Sequence, residues 1–448
     1  MNNDKISKKT IAYFSIGGIG YHLFVGMIIS YLPIFYTDVL GISALAMGTL
    51  FLVARAWDAV NDPIIGLLVD KAPTTPRGKF RPFILWSAVP FSVMAILCFV
   101  SLDLSPMGKL VYVSITYVLY GMLFTIFEVP YWALATTFSQ NTNERGKLIS
   151  VARTVQMLTV ALAVLAFLPL VNFFGGENKS KGYFLAAALF GGIALISFII
   201  AYAGTRERIA SPSTERLSFF DIFRILKTNK PLRIVTIALL LQIFNEMSFA
   251  GGTYFAAYCL GDLNLFTPLV AIATVGTTLG LITVPFLSKL LGGKKNLFIY
   301  SALLRTVILI VFFFVGYDSL LTVYVLTGIS YFLSGNISVI LTIMYAECIE
   351  YNQLYSGERK EGLILSLQSS GWKIIFALSG AALGFLLARF EYIPNQVQPD
   401  LVKLTIFSTQ TSLVAIGSLL SAIGMFFYPL TEEKHREIIL KLEAKQGV

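Results

Sequence analysis

Apolar residues run along this chain in blocks too long and too frequent for a single soluble core. Twelve blocks of about 20 to 28 residues stand out, at 11–36, 46–69, 83–102, 110–138, 149–174, 183–204, 232–260, 268–291, 297–317, 320–346, 363–390 and 404–429. Each can cross a bilayer as a helix, because roughly 20 apolar residues at about 1.5 Å rise match a hydrocarbon core about 30 Å thick. Lipid offers no hydrogen bonds, so a spanning segment must satisfy its own backbone groups, which favours helix over open strand. The pattern predicts an all-α membrane protein with twelve transmembrane helices. A polar break separates six blocks from six, giving halves at 1–205 and 232–430, a central cytoplasmic loop at 206–231 and a tail at 431–448. The tail alternates Glu and Lys and reads as a short solvated amphipathic helix.

Composition agrees with the pattern. Hydrophobic residues make up 56% and charged residues 13% of the chain, with a mean hydropathy of +0.75, against about 25% charge in an ordinary soluble domain. With the N-terminus inside, 25 of the 34 basic residues fall in cytoplasmic segments, five on the opposite side and four within spans. This asymmetry predicts cytoplasmic termini and a multi-pass protein of the cell membrane. It also accounts for the net charge of +9, since no basic stripe with interleaved aromatics suggests nucleic acid. Cys98, Cys259 and Cys348 sit in apolar blocks at unrelated spacings, as small core hydrophobes rather than a disulfide or zinc framework. The first block is too long for the apolar region of a signal peptide and is expected to be retained.

The second block carries the chemistry. In Trp57-Asp58-Ala59-Val60-Asn61-Asp62-Pro63, Asp58 and Asp62 stand four residues apart and share a helix face, with Asn61 beside them. Two bare carboxylates at membrane depth repel each other and each costs roughly several kcal/mol to desolvate, which a bound cation or proton offsets. A plainer reading pairs them with Arg55 or with Lys373 of the eleventh block, and the two readings can coexist.

Longer strings resemble a known family. The stretch Gly66 to Lys71 followed by Gly78-Lys79 is similar to the loop signature of the major facilitator superfamily, weakly echoed by Ser288-Lys289 and Gly292-Gly293-Lys294-Lys295 in the second half. Phe35-Tyr36-Thr37-Asp38, the Trp57 to Pro63 string, Gly78-Lys79-Phe80-Arg81-Pro82, Glu128-Val129-Pro130-Tyr131-Trp132, Gly261-Asp262-Leu263-Asn264 and Ala346-Glu347-Cys348-Ile349-Glu350 resemble the glycoside/pentoside/hexuronide:cation symporters, the family of melibiose permease. The resemblance implies a major facilitator fold and secondary active transport of a sugar with a cation. It implies a cation site at Asp58, Asn61, Asp62 and Thr125, whose oxygen ligands suit a hard ion. It implies a sugar site around Glu128, Trp132, Arg153, Gln368 and Lys373. Charged hydrogen bonds to hydroxyls and an aromatic face suit a glycoside. Thr125, Glu128 and Trp132 recur at helical spacing on one face, which sets the two sites side by side. Where the melibiose branch has a Lys-Asp pair and an Asp, this chain has Tyr21-His22 and Glu128, so His22 joins the substrate candidates and melibiose itself is not implied.

Other function classes fit less well. No Gly-x-x-x-x-Gly-Lys-Ser/Thr loop is present for an ATP-driven pump, and two isolated histidines with three scattered cysteines supply no catalytic constellation. The chain is expected not to be an enzyme and to need no cofactor beyond a coupling cation, Na⁺ or H⁺. Its expected partners are a sugar and the lipid bilayer, with no obligatory protein partner evident. Alternatives left open are proton coupling, a lipid-like or other organic solute on the same fold and, less favoured, a non-transporting sensor. Glu246 could line a cavity or pair with a neighbouring helix. Glu347 and Glu350 are expected to form gate salt bridges near Arg359, and Asp38 and Asp262 to be solvated.

Overall fold

The computed structural model describes residues 5–208, 219–358 and 360–446; Arg216, Arg359 and part of the polar break lie outside the described residues. Among the described residues the regular structure is helical, apart from an isolated bridge between Thr75 and Gly78. The chain forms two compact units, Met1–Thr214 with Glu391–Gln396, and Glu215–Phe390 with Val397–Val448.

The first unit holds α1 (Lys8–Ile34), α2 (Ala44–Lys71), α3 (Arg81–Leu97), α4 (Pro106–Thr136), α5 (Thr142–Gly175) and α6 (Lys179–Gly204). Local sequence starts several of them. Ser7, Ser43, Ser105 and Asn178 each accept a hydrogen bond from an otherwise orphaned first-turn N–H, and Pro106 follows Ser105 where its missing N–H costs nothing. α1 is the most enclosed helix of this unit, packed between α5 and α6, while α2 lies against α4. Aromatic rings fill its interior, with Phe91, Phe127 and Phe198 within 4.2–6.0 Å of one another.

The second unit holds α7 (Phe219–Thr228), α8 (Lys230–Leu240), α9 (Ile243–Tyr254), α10 (Phe266–Leu290), α11 (Lys294–Val315), α12 (Leu320–Ser356), α13 (Glu361–Arg389), α14 (Asp400–Gln410), α15 (Ser412–Phe426) and α16 (Glu432–Gln446). The seventh span is thus broken between α8 and α9, and the twelfth between α14 and α15 at Thr411, where φ is −128° and ψ −89°. The two broken spans are stitched at membrane depth, since Gln410 Nε2 donates to the Ser248 carbonyl at 2.9 Å and its Oε1 lies 3.0 Å from Ser248 Oγ.

Ten helical segments among the described residues are long and apolar enough to cross a membrane. The expected second and third spans are the two remaining helices: α2 carries Arg55, Asp58 and Asp62, and α3 runs for only 17 residues. Both present apolar side chains on the surface of the unit, Leu68 of α2 being 62% and Trp86 of α3 78% exposed.

The units repeat each other in detail. Each first span ends in a π-helical turn, Phe35–Val39 and Phe255–Cys259, followed by Leu-Gly with the glycine at φ of 74° or 81°. After the second span, Gly78 and Gly293 adopt φ of 102° and 127°, and each lies against a carboxylate that follows the last span of its own unit. Glu207 accepts from the Lys79, Phe80 and Arg81 amides at 2.8, 2.8 and 3.1 Å, and Glu432 accepts from the Lys294 amide. A side chain on either glycine would occupy the carboxylate's place, and its backbone would be strained besides.

Asp38 corrects an expectation. It is half-buried rather than solvated: its Oδ1 accepts from Thr37 and from Tyr392 at 2.6 Å each, and its carbonyl from Asn395 Nδ2 at 2.7 Å. Asp262 is exposed and caps the turn that precedes α10.

Candidate functional site

In the first unit, α2 and α4 meet through matched polar positions. Tyr117, Gly121 and Thr125 recur every four residues on α4, opposite Arg55, Asp58 and Asp62 on α2. Arg55 donates from NH1 to Asp58 Oδ2 at 2.9 Å and from NH2 to the Tyr117 hydroxyl at 2.9 Å. Gly121 admits Asp58, whose Oδ1 would lie 3.1 Å from any Cβ placed there. Thr125 donates to Asp62 Oδ1 at 2.7 Å. Asn61 is buried, and its Nδ2 has no hydrogen-bond partner. Pro63 adds an oxygen that sequence reading missed, since it has no N–H to return to the Ala59 carbonyl one turn back. The result is two carboxylates, an amide, a hydroxyl and a loosened carbonyl within two helical turns, an oxygen set suited to a small hard cation. Among the described residues no three His, Cys, Asp or Glu side chains cluster as a transition-metal site would require.

Farther along α4, the Arg153 guanidinium from α5 lies over the Trp132 ring, 4.0 Å from its centroid. Cation and ring attract through the ring quadrupole, which presents both as one platform. Glu128 is half-buried one turn before Trp132 on the same face. His22, on α1, is also half-buried; its Nδ1 lies 3.0 Å from the Gly18 carbonyl and its ring is 4.1 Å from that of Tyr21. Behind them the Tyr21 hydroxyl, the Trp132 Nε1 and both amide atoms of Gln156 are enclosed without a well-formed hydrogen bond to protein. Gln156 follows Arg153 by one turn and packs against Gly18, and neither it nor Tyr21 was a sequence candidate in its own right. A polar residue in an apolar block was the available signal.

The structure therefore brings Asp58, Asp62 and Thr125 together, and Trp132 with Arg153. Gln368 and Lys373 lie on α13 of the second unit, where Gln368 Nε2 donates to Thr342 at 3.4 Å and Lys373 is exposed. That unit has a buried polar centre of its own: Arg305 donates to Ser330 Oγ at 3.1 Å and to Asn245 Oδ1 at 2.5 Å, and Asn245 donates to Glu246 at 3.3 Å. Glu246 thus belongs to a network with a neighbouring helix. At the end of α12, Glu347 pairs with Lys294, and Glu350 with His435 Nε2 at 2.5 Å, so the tail helix supplies a partner that the sequence did not suggest.

Residues 13–432 match the family described as MFS/sugar transport protein. The chain belongs to this family of the major facilitator superfamily. The transporter is 34% identical to the uncharacterized symporter YnaJ of Bacillus subtilis (strain 168), over 100% of this chain and 97% of that one. It is 31% identical to the glucuronide carrier protein homolog of Escherichia coli (strain K12), over 100% and 98%. It is 29% identical to the isoprimeverose transporter of Lactiplantibacillus pentosus, over 97% and 91%. A D-xylose-proton symporter crystal structure shares the fold, with a TM-score of 0.62 at 15% identity, over 94% of this chain and 98% of that one. The transporter is a multi-pass membrane protein of the major facilitator fold and a symporter-type sugar carrier, not an enzyme.

Proposed function

We propose that this transporter couples the entry of a glycoside, pentoside or hexuronide to sodium. Asp58, Asn61, Asp62 and Thr125 hold the ion, while His22, Glu128, Trp132 and Arg153, with Gln368 and Lys373 from the second half, bind the sugar. The observation that carries this reading is the α2–α4 pairing, which gathers oxygen ligands one turn from the acidic and aromatic face of α4. Proton coupling needs only one carboxyl, whereas two carboxylates with an amide and a hydroxyl match the ligand count of a bare alkali ion. The names of two relatives, a glucuronide carrier protein homolog and an isoprimeverose transporter, support a sugar as the solute. The charge bias of the loops supports cytoplasmic termini in the cell membrane. The halves are taken to divide at 205 and 232, with 206–231 as a central cytoplasmic loop.

The test is uptake of labelled glycosides by membrane vesicles at fixed pH, with sodium present or replaced by choline. Accumulation should require sodium. Undiminished accumulation driven by a pH gradient alone would reject sodium and turn attention to His22 and Glu128.

A further inference from the structure

We propose that Tyr117 is a positioning residue of the cation site, whose hydroxyl anchors the Arg55 guanidinium so that Asp58 can be released to an incoming ion. This rests on the reading of Asp58, Asn61, Asp62 and Thr125 as that site. Arg55 spans two partners at equal distance, Asp58 Oδ2 through NH1 and Tyr117 Oη through NH2, both at 2.9 Å. It is therefore a tethered cation already seated on one of the two carboxylates that a mobile ion must use. The mobile ion and the guanidinium compete for Asp58 and repel each other across a few ångströms. Binding needs somewhere for the guanidinium to remain once Asp58 turns away.

Tyr117 provides that place. It is 7% exposed, and its ring is held 5.0 Å from that of Phe51, so the hydroxyl is fixed rather than swinging. It lies two helical turns before Thr125 on the same α4 face, which puts the resting place of Arg55 at one end of the site and the Thr125–Asp62 pair at the other. Without the hydroxyl, the carboxylate is the one hydrogen-bond acceptor left to the planar guanidinium, which keeps only the face of the residue 117 ring, 5.8 Å away, beside it and turns its free donors toward Asp58, since two-pronged pairing is its preferred geometry. Sodium then has a stronger competitor. Tyr117 acts on the ion only through Arg55 and has no direct part in sugar binding.

The experiment uses the full chain purified in detergent. Sodium chloride is titrated calorimetrically into wild type, Y117F, R55Q and the double variant in choline buffer at fixed pH. Binding of whichever nitrophenyl glycoside the wild type takes from a panel of xyloside, glucoside, galactoside and glucuronide is then measured at saturating sodium. Y117F keeps the packed ring and should raise the sodium Kd about tenfold, the lower range for one hydrogen bond to a charged group, with the glycoside Kd changed less than twofold. In the R55Q background the same change should be silent, because nothing remains to be held. Should R55Q not fold, R55K serves the same cycle, as lysine lacks the second nitrogen that reaches Tyr117. An unchanged sodium Kd in Y117F, an equal loss of both ligands, or the same shift with Arg55 removed would overturn the proposal. A wild type that binds glycoside but neither binds sodium nor responds to it would instead reject the sodium reading, and the Tyr117 role with it.

Discussion

If Asp58 and Asp62 hold the coupling ion as proposed, their separate removal reads out what each contributes. Asp58→Asn or Asp62→Asn should abolish cation-driven accumulation while sugar exchange down its own gradient survives, since the sugar contacts stay and only the coupling between sites, typically about 1–3 kcal/mol, is lost. Vesicle uptake beside counterflow makes the comparison, and normal gradient-driven uptake in both variants would sink the assignment. Gln156 offers the opposite experiment. Its enclosed amide makes no well-formed hydrogen bond, so Gln156→Met, which keeps the volume and removes the polar atoms, should raise the stability of the ligand-free protein by about 1–2 kcal/mol in thermal unfolding. A fall would mean that the amide is satisfied in the folded protein. The two carboxylates were legible because charge is conspicuous in an apolar run. Gln156 gave only the weaker signal of an uncharged polar residue in an apolar block, and Tyr117 gave none, because a Tyr is unremarkable there and it meets Arg55 across 62 positions of sequence.

At the scale of elements, the glycine–carboxylate caps stand out. One carboxylate, Glu207, gathers three consecutive amides at the start of α3, and Glu432 does the same office for α11 with one. Glu207→Ala would leave three donors at a helix start without their acceptor and should cost about 2–3 kcal/mol, read as a lower unfolding midpoint in detergent. Gly78→Ala should be at least as damaging through both φ and the lost space, and a neutral result would show that the loop can refold around the cap. The echo between Gly78-Lys79 and Gly293-Lys294 could be read from sequence. Their partners could not, since Glu207 and Glu432 come more than a hundred residues later with no local mark. The breaks within spans seven and twelve were equally silent, because Leu241, Gln242 and Thr411 include neither Pro nor Gly.

For the molecule as a whole, coupling must be reciprocal. Whatever factor the coupling cation contributes to sugar affinity, sugar must contribute to cation affinity, because the two paths to the doubly loaded protein share their end points. Titrating each ligand with and without the other should give factors that agree within error, and a mismatch would mean that one ligand binds a second place. The all-helical architecture was readable from hydropathy because lipid leaves a chain few options. Span count was harder at the two helices that matter most or run shortest, since α2 sacrifices apolarity to carry its acids and α3 spans only 17 residues.

The contact between Arg153 and Trp132 has an optical consequence. An indole under a guanidinium emits in a field set by that charge, and any solute that inserts between them or draws Arg153 aside changes the field. The chain has four tryptophans, and Trp57 and Trp86 are 44% and 78% exposed on an apolar surface. Replacing Trp57, Trp86 and Trp372 with phenylalanine would leave Trp132 as the single indole emitter, and, if the proposed sugar site is right, would turn the carrier into a reporter of its own occupancy without a label.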